Sequence, residues 1–584
     1  MADARAPFLL FEDALGEGRY YRNPVEIVET SNPDEVKTCL ERLREARRRG
    51  LHSAGFLSYE AGHALERKLA PLCAAPSPEG PPLLWFGLFD RCEEASGLRI
   101  EPGAAWASKP RPLIPQADYE AAVAQVKAHI EAGDIYQANL TFRAEVALSG
   151  DPLALYASIR TRARAGHGGI VFTGAHWLLS FSPELFFTLC DGRITARPMK
   201  GTAERGRIPE EDEIAILELG KDPKQRAENL MIVDLLRNDL SRVSTPGSVK
   251  VPSLFAVETY PTLHQMTSTV TGELEKGLDA IDVIEAIFPC GSITGAPKIR
   301  AMEIIADVEQ TPRGPYTGSI GWIDPAGGAE FNVAIRTLSL RAGESSALIG
   351  LGSGIVADSE AGCEWRECLA KGAFVAGERP SFDLFETMRF DPHEGIFELE
   401  RHLGRMKRSA QELGFRFDRH GARNDLQAAT FRLREPRRIR LILAPSGIVA
   451  IENRPLPEAP FEPVEVALAR LPVSSGDLRL RHKTSDRGFY DEARLSSGCF
   501  EILFVDEAGF LTEGSFTSLF VERGGKLLTP PLSRGLLPGI LRETLIEQGR
   551  ALEADLRPPD LRGGFFIGNA VRGLIEARLA EAMA

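Results

Sequence analysis

A lysine at position 200 stands on a bend, where it could serve as a nucleophile. In the segment Arg197-Pro198-Met199-Lys200-Gly201-Thr202, Pro198 withholds a backbone donor and Gly201 lets the chain turn. A free lysine has a pKa of about 10.4 and keeps its proton at neutral pH, so it is no nucleophile. Lys200 is therefore either an ordinary exposed cation or an amine whose pKa is lowered by desolvation.

Carboxylates on two predicted helices are spaced to converge on a cation. A helix is predicted from about Ser359. Four charged residues on it are spaced by four, three and four positions, so they lie on one face of that helix: Glu360, Glu364, Glu367 and Lys371. Glu228 lies on an otherwise apolar helix predicted over 226–240. Carboxylates without His or Cys favour Mg²⁺ over zinc. The alternative is a solvated acidic face.

Groups that could hold an anion occur between these helices. Arg336 lies among buried-looking neighbours in a predicted strand, where it favours a bidentate carboxylate. The backbone N–H groups of Gly350–Gly354 could bind a second anion, and the small-residue turn 290–298, which includes Thr294, opens a helix. Together these features predict a small dicarboxylate held against Mg²⁺ near Lys200.

A second set of residues lies in the last two hundred positions. A pyridoxal phosphate enzyme needs a lysine for the cofactor aldehyde, an acid for its pyridine nitrogen and a seat for its phosphate. Lys483 and Glu513 could fill the first two roles. The turn at Gly539, which starts a helix with Ile540 and Leu541, could seat the phosphate with the help of Arg405.

Composition limits the class of protein. The chain has 584 residues and a net charge of −13, from 69 Lys and Arg against 82 Asp and Glu, which disfavours nucleic acid and anionic membranes as partners. No run approaches a membrane span, and the N-terminus resembles no signal or transit peptide. The eight cysteines form no C-x-x-C pair, so we expect free thiols in a cytoplasmic protein.

The pattern of elements predicts an α/β protein with two domains. Tyr119 opens a predicted helix that stops at Gly133. A strand predicted over 135–142 places Gln137, Asn139 and Thr141 on one polar face, which suits either a polar ligand or solvent. The pattern resets near 376–381, so we predict domains over 1–377 and 381–584.

Six segments in series resemble the chorismate-utilising enzymes, a family that includes anthranilate, isochorismate, salicylate and aminodeoxychorismate synthases. The resemblance is strong over about 115–376 and weak over 1–115. The segments are 181–184, 197–202, 226–239, 292–298, 334–337 and 352–359. The resemblance implies a fold of two large sheets flanked by helices, with Mg²⁺ and chorismate bound. Lysine at position 200 resembles the aminodeoxychorismate synthases, since anthranilate synthases typically carry alanine there.

The same resemblance implies a role for each matching residue. Lys200 becomes the nucleophile and Glu184 the general acid/base. The other matches are three metal ligands and a set of substrate contacts: Glu228, Glu364 and Glu367 for the metal, and Arg336, Tyr316, Gly352, Ser353, Gly354, His264, Lys371 and Thr294 for chorismate. His264 could equally be a structural histidine. Several relatives carry a further glutamate where this chain has Gln225.

Ammonia must come from outside this chain, because none of its cysteines sits in a glutamine-amidotransferase nucleophile elbow. A separate glutaminase subunit is the implied partner. The segments 9–13 and 55–60 resemble strands that hold an aromatic amino acid in some relatives.

Residues 381–584 resemble the class IV aminotransferases, which are fold-type IV pyridoxal phosphate enzymes and usually dimerise. That family includes branched-chain and D-amino-acid aminotransferases and 4-amino-4-deoxychorismate lyase. The segment Gly568–Gly573 and the fusion to the first domain favour the lyase. We therefore predict a bifunctional folate-pathway enzyme that makes p-aminobenzoate. The alternatives are a transaminase in the second half, or one degenerate half that serves as a binding module.

Overall fold

The chain forms two compact units. The computed structural model describes residues 6–13, 18–73, 76–95, 100, 105–163, 165–205, 209–259, 263–376 and 382–580. Among these, the first unit takes those within Met1–Ile100, Lys109–Ala147 and Ile159–Val375, and the second those within Glu101–Ser108, Leu148–Ser158 and Ala376–Ala584. The sequence pattern does not indicate that two early segments belong to the second unit. The predicted boundary at 377–381 lies outside the described residues.

The first unit contains two large, mainly antiparallel sheets. The strands of one sheet follow one another as Gly295–Ala296, Gln137–Ser149, Ser346–Ile355, Thr337–Arg341, His176–Ser182, His167–Phe172, Phe8–Glu12, Gly18–Arg22 and Glu93–Glu94. Arg111–Pro112 pairs with Gln137–Ser149. The strand predicted over 135–142 thus begins at Gln137 and runs on to Ser149.

The second sheet of this unit carries the Lys200 bend. Its strands follow one another as Met199–Glu204, Leu263–Glu273, Arg193–Arg197, Leu185–Cys190, Ala329–Val333, Ser319–Ile323, His52–Leu57, Leu84–Phe89 and Glu26–Thr30. Lys250–Thr259 also pairs with Leu263–Glu273. Phe56 and Trp85 of this sheet share one buried cluster with Val171 and Leu178 of the other. The two sheets therefore pack face to face, and each such side chain contributes about 1.5–3 kcal/mol through burial.

Helices cover the sheets and carry most of the predicted acidic residues. The helices that lie wholly in the first unit are Val36–Arg48, Ala61–Leu65, Gln116–Glu131, Pro209–Lys221, Pro223–Ser241, Ala280–Ile287, Lys298–Val308 and Ala361–Gly372. The residues of a further helix, Pro152–Ala163, are divided between the two units after Ser158. Asp222 caps Pro223–Ser241 by accepting hydrogen bonds from two backbone N–H groups. Gln116–Glu131 buries Tyr119 and Val123 and ends before Gly133, whose φ is +80°. The expected two-sheet α/β architecture is confirmed.

The second unit has two sheets of its own. The strands of one are Gly395–Ile396, Leu384–Asp391, Arg437–Leu443 and Val449–Pro455, and those of the other are Leu511–Gly514, Glu501–Val505, Val464–Arg470, Gly573–Leu579, Phe565–Asn569, Ser518–Arg523, Lys526–Thr529 and Ala551–Glu553. Trp106 and Ala107 pair with Ser149 and Leu148, all four of which belong to this second unit. The helices are Leu399–Glu412, Arg419–Thr430, Leu478–Arg481, Gly488–Ser497 and Ile540–Glu547.

Each sheet of the second unit has its own buried core. Met388, Leu403 and Ile439 belong to one core cluster, and Val466 and Leu519 belong to another. Among the residues that the structure describes, no helix combines the length and apolarity that a bilayer crossing requires.

Candidate functional sites

The Lys200 bend is built as the sequence indicates. Met199–Glu204 pairs with Leu263–Glu273, and the register shifts between Met199 and Thr202. Gly201 has a φ of +91°, a conformation that favours glycine. A Cβ at Gly201 would lie 3.1 Å from Gln225 Oε1, so glycine also lets the helix Pro223–Ser241 approach the bend.

The Lys200 amine is shielded and faces charges from several elements. Burial lowers the pKa of Lys200, and the nearby Lys371 ammonium lowers it further, while Glu228, Glu184 and Glu367 oppose that shift. A Cβ at Gly354 would lie 3.0 Å from Lys200 Nζ, so the amine lies against the backbone of that glycine. The sequence expectation of a desolvated lysine among carboxylates agrees with this geometry.

Glu184 is a buried carboxyl that keeps its proton near neutral pH. It is 5% exposed, and Ser292 Oγ donates a hydrogen bond to Glu184 Oε1 at 2.7 Å. Burial raises the pKa of Glu184 to about 7, against the opposing effects of Ser292, Lys200 and His167. A carboxyl with that pKa can both give and take a proton.

Arg336 is a half-buried cation in a strained backbone conformation. It links Ala329–Val333 to Thr337–Arg341 with a φ of +50°, where a non-glycine residue is uncommon. Burial alone lowers the pKa of its guanidinium, and its Cζ lies 5.9 Å from the Phe374 ring centroid. No side-chain ion pair of Arg336 occurs within the described part of the chain. A desolvated guanidinium of this kind favours an anionic ligand.

Gly352 and Gly354 present backbone amides at an unpaired strand edge. Gly352 lies opposite Thr141 and Gly354 opposite Asn139. Asn139 N donates to Thr294 O, and Thr141 N donates to Glu309 Oε1. Asn139 and Thr141 therefore do not exchange backbone hydrogen bonds with the glycines that lie opposite them. The N–H groups of Gly352 and Gly354 therefore point away from that neighbour. On the side to which these N–H groups point, the pairing of Ser346–Ile355 with Thr337–Arg341 ends at Ile349.

Three other predicted chorismate contacts are occupied within the fold. His264 is fully buried, with Nδ1 3.0 Å from Thr259 Oγ1 and Nε2 3.0 Å from Asp212 Oδ1. Both ring nitrogens are engaged within the fold, which agrees with a structural role, and the contact of His264 with chorismate stays a prediction. The Thr294 hydroxyl contacts the carbonyls of its own turn, and Ser353 Oγ bonds to Tyr119 OH at 2.9 Å.

Tyr316 and Lys371 contact the strand Ser346–Ile355, which carries the two glycine amides. A Cβ at Gly350 would lie 2.0 Å from Tyr316 Cδ1, so the ring packs on the strand backbone at that glycine. Burial raises the pKa of Tyr316. Lys371 Nζ donates to Gly352 O at 3.0 Å and pairs with Glu367 at 2.8 Å. Lys371 thus contributes its charge next to Lys200 and Gly352.

The predicted metal ligands approach one another but are partly engaged. Burial raises the pKa of Glu228, and Glu367 is close enough to raise it further. Glu364 Oε1 accepts a hydrogen bond from Ser359 Oγ at 2.7 Å. Among the described residues, no three His, Cys, Asp or Glu side chains lie close enough together to hold an ion by themselves. The donor set, three carboxylates without nitrogen or sulfur, suits Mg²⁺ in its chemistry.

Gln137 belongs to this site although no role was assigned to it from the sequence. It is 1% exposed, and neither its Nε2 nor its Oε1 has a hydrogen-bond partner within the described residues. A Cβ at Gly354 would lie 2.9 Å from Gln137 Nε2 and 3.0 Å from Lys200 Nζ. The signal was present in the polar strand face at 137, 139 and 141. A buried amide without a partner next to the lysine suits contact with a polar ligand.

The second unit contains a cavity of about 680 Å³, and the predicted cofactor residues line it. They are Lys483, Glu513, Arg405, Ile540 and Leu541. Phe385 N donates to Lys483 O, so the strand Leu384–Asp391 fixes the lysine backbone. Burial lowers the pKa of Lys483 to about 7, and Arg405 adds to that effect. The structure thus brings the predicted lysine, acid and helix start to one cavity.

Glu513 is held by hydrogen bonds on the cavity wall. Tyr490 OH donates to Glu513 Oε1 at 2.6 Å, and burial raises the pKa of Glu513. The following turn is anchored by Glu501, a buried carboxylate that no sequence argument singled out. Glu501 accepts hydrogen bonds from the backbone N–H of Ser515 and Phe516 and from Thr517 Oγ1. Glu501 therefore fixes the turn that follows Glu513.

The expected phosphate seat is an uncapped helix start. Gly539 precedes the helix Ile540–Glu547 and offers no side-chain cap. The first backbone N–H groups of that helix can therefore bind an anion. Arg405 is buried and paired with Glu386 at 2.7 Å, and its Nη1 donates to Pro538 O at 2.6 Å. Arg405 therefore acts on the seat by holding the Pro538 carbonyl, rather than as a free cation. The lysine, the acid and this seat together fit pyridoxal phosphate.

Comparison with known proteins agrees with this geometry. The chorismate binding enzyme family model matches residues 6–377, and the class IV aminotransferase model matches residues 383–579. The chain is similar to aminodeoxychorismate synthase component 1 of Klebsiella aerogenes, with 42% identity over 268 residues, covering 46% of this chain and 58% of that protein. It is also similar to anthranilate synthase component 1 of Mycolicibacterium smegmatis, with 39% identity over 301 residues, 49% of this chain and 56% of that protein.

A solved structure shows the same fold in the first unit. Anthranilate synthase component I from Streptococcus pneumoniae aligns with a TM-score of 0.54 and 24% identity, over 64% of this chain and 93% of that one. The chain belongs to the chorismate binding enzymes and carries a class IV aminotransferase domain after that region. Its first half is like aminodeoxychorismate synthase component 1. The two curated relatives are matched over less than two thirds of their own length.

Glu184→Gln tests the raised pKa of Glu184. The folded-state pKa of about 7 lies above the value of about 4.3 for an unfolded glutamate. Between these values the unfolded chain binds fewer protons than the folded one, so the free energy of unfolding falls as pH rises. The loss reaches about 3 kcal/mol by about pH 8. Glutamine carries no such penalty.

We therefore expect the unfolding temperature of the Glu184→Gln variant to rise relative to that of wild type as the pH increases from about 5 to about 8. Thermal unfolding followed by calorimetry measures the difference. Glu275→Gln, which removes an exposed carboxylate of the same unit, is the matched control for charge. A difference between Glu184→Gln and wild type that is independent of pH would contradict the assignment.

Proposed function

We propose that this chain makes p-aminobenzoate from chorismate and ammonia, by amination in the first unit and elimination of pyruvate in the second. One observation carries the first step: the shielded Lys200 amine lies against Gly354, within reach of the charges of Glu184 and Glu228. The family match supports chorismate as the substrate. Lys200 favours amination at C4, because replacement of the C4 hydroxyl with retention suits two successive displacements.

Lys200 and Glu184 carry the two displacements. The neutral Lys200 amine attacks ring C2, the two ring double bonds shift, and the C4–O bond breaks. Glu184 gives its proton to the departing hydroxyl, which leaves as water. Ammonia then attacks C4, the double bonds shift back, and the C2–N bond breaks to release Lys200. The surplus proton of the new ammonium returns to Glu184. The sum is chorismate plus ammonia to aminodeoxychorismate plus water.

Backbone N–H groups and a side-chain cation would hold the substrate carboxylates during these steps. The Arg336 guanidinium has no acidic partner in the described part of the chain, and the N–H groups of Gly352 and Gly354 face an unpaired edge. The Gln137 amide, which has no hydrogen-bond partner within the described residues, lies against Gly354, as the Lys200 amine does. That position suits a hydrogen bond to the incoming ammonia or to the ring.

Replacing Lys200 tests the first step. Lys200→Ala should lower aminodeoxychorismate formation from chorismate and ammonium by at least about a hundredfold, because covalent catalysis is lost. Liquid chromatography of the products measures the change. Lys250→Ala, at an exposed lysine of the same unit, should match wild type. Undiminished product from Lys200→Ala would refute the nucleophile.

We further propose that Glu228, Glu364 and Glu367 bind Mg²⁺ when chorismate is present. The ion would neutralise substrate carboxylate charge and oppose the repulsion among these three side chains. Chelation with EDTA should abolish chorismate turnover, and added Mg²⁺ should restore it. Glu228→Gln should raise the Mg²⁺ concentration needed for half-maximal activity at least about tenfold. Turnover that resists EDTA would contradict this site.

For the second step we propose lyase chemistry at Lys483. When bound, pyridoxal phosphate supplies an electron sink conjugated to the substrate nitrogen. With a pKa of about 7, the Lys483 amine can take the proton from C4, the ring carbon that bears nitrogen. Cleavage of the C3–O bond releases pyruvate and completes the aromatic ring, and Lys483 returns a proton to the departing group. Glu513 would keep the pyridine nitrogen protonated.

The rival activity for the second unit is amino-acid transamination. The full chain loaded with pyridoxal phosphate should show a visible absorbance band that borohydride removes, and Lys483→Ala should lack the band. The loaded chain should convert aminodeoxychorismate to p-aminobenzoate and pyruvate. It should form no glutamate from 2-oxoglutarate with D- or branched-chain amino acids. Glutamate formation without p-aminobenzoate would favour the transaminase.

A glutaminase subunit is the proposed partner of the first unit. Similarity to proteins named component 1 of a synthase supports this assignment. The purified chain should use ammonium but not glutamine, and glutamine should become a nitrogen source once the subunit is added. Dimerisation through the second unit, usual in its family, remains a prediction that light scattering of the purified chain would check.

A further inference from the structure

The cavity of the second unit carries more positive charge than the proposed cofactor needs. Besides Lys483 and Arg405, five arginines line it, against three acids. The arginines are Arg438, Arg440, Arg487, Arg494 and Arg572. Arg487 lies 3.9 Å from Glu513 and Arg494 lies 3.8 Å from Asp491. Within the described residues, Arg438, Arg440 and Arg572 have no side-chain ion pair.

Arg438 stands in a cross-strand row of like charges. It lies directly opposite Arg389 on one side and Arg454 on the other. Like charges at opposed positions destabilise a sheet. Glu452 forms an ion pair with Arg454 at 3.7 Å, so it offsets the charge of that arginine only. Glu452 does not line the cavity. The row is therefore a local cost that an anion bound at Arg438 would offset.

Arg572 is aimed at the cavity by a rigid turn. Asn569 Oδ1 accepts hydrogen bonds from Val571 N and Arg572 N, both at 3.0 Å. Arg572 Nη1 donates to Glu458 O at 2.9 Å, and its Cζ lies 5.6 Å from the Phe500 ring centroid. The segment Gly568–Gly573, which resembles the lyase in sequence, thus presents this guanidinium to the cavity.

Arg438 and Arg572 line the same cavity, and their positive charges act on one another. Burial lowers the pKa of Arg572, and the neighbouring charge of Arg438 lowers it further. The two guanidinium groups line one cavity and repel each other, and no carboxylate of the described chain pairs with either. Such a pair forms a binding site for an anion.

Arg440 provides a separate anion-binding position. It stacks on Phe385 at 4.7 Å, and its buried Nε has no hydrogen-bond partner within the described residues. The uncapped helix start at Gly539 is reserved for the cofactor phosphate. The cavity therefore offers two arginine positions beyond the phosphate seat, whereas a simple amino acid brings one carboxylate.

We propose that Arg438 and Arg572 bind the second carboxylate of a ring dicarboxylate, so that the cavity selects such substrates over monocarboxylate amino acids. This inference rests on the proposed lyase function and specifies its substrate class. A substrate with two carboxylates and one ring amine would place one carboxylate at Arg438 and Arg572 and the other at Arg440. Transaminase substrates with a single carboxylate would leave the Arg438–Arg572 pair uncompensated.

The test uses the full chain loaded with pyridoxal phosphate and two unreactive probes, isophthalate and benzoate. Isothermal titration should give tighter binding of isophthalate than of benzoate to wild type. Arg438→Gln and Arg572→Gln should each weaken isophthalate binding about tenfold or more, the loss of one charge-assisted contact. Benzoate binding should change less than about twofold, because Arg440 remains. Retained cofactor absorbance confirms that each variant is folded.

Arg454→Gln is the matched control, because it removes the same charge from the same row at a position outside the cavity lining. It should leave isophthalate affinity unchanged. Equal losses in Arg438→Gln and Arg454→Gln, or equal losses for both probes, would overturn the proposal.

The outcome is independent of the lyase assay. If wild type prefers isophthalate through Arg438 and Arg572 but makes no p-aminobenzoate, the dicarboxylate site stands and the lyase assignment fails. If wild type makes p-aminobenzoate while both glutamine variants keep their isophthalate affinity and their KM for aminodeoxychorismate, the lyase stands and the role of the arginine pair fails.

Discussion

Both candidate sites depend on keeping an amine out of water. An ammonium group resists burial because its charge loses hydration, and burial is the leading cause of the lowered pKa at both Lys200 and Lys483. Each unit surrounds its lysine with charges of both signs, and the acidic neighbours oppose the lowering of the lysine pKa. The Lys483 pKa of about 7 keeps much of that amine unprotonated near neutral pH. The remaining site residues are useful only around an amine in that state.

Desolvation also explains the neighbours of the two lysines. Burial lowers the pKa of Lys200 and raises that of Glu184 to about 7, so burial shifts both groups toward their uncharged forms. In the second unit, burial likewise raises the pKa of Glu513, while Tyr490 and Arg487 limit the shift. A pair of groups with pKa values shifted toward each other is what proton transfer to a leaving group requires.

Groups without partners mark where ligands belong. Within the described parts of the chain, the Gln137 amide has no hydrogen-bond partner. Arg336 in the first unit, and Arg438 and Arg572 in the second, have no side-chain ion pair there. Buried Gln137 alone forgoes hydrogen bonds that water would supply, at a cost of about 1–3 kcal/mol. The two sites are thus preorganised for anions and polar ring substituents at the expense of stability.

The sequence alone determined the fold class, the main helices and the identity of the key lysines and acids. These follow from local patterns: the 3.6-residue spacing of the 361–372 stripe, the period of two in 137–141 and the proline and glycine that bend the chain at 200. Only the tertiary structure decided which side chains remain available. The two ring nitrogens of His264 are engaged by Thr259 and Asp212, and Arg405 is paired with Glu386. Gln137, Glu501 and the pair Arg438–Arg572 acquired significance through neighbours distant in sequence. Availability depends on what lies across the space around a side chain, and no spacing along the chain encodes that.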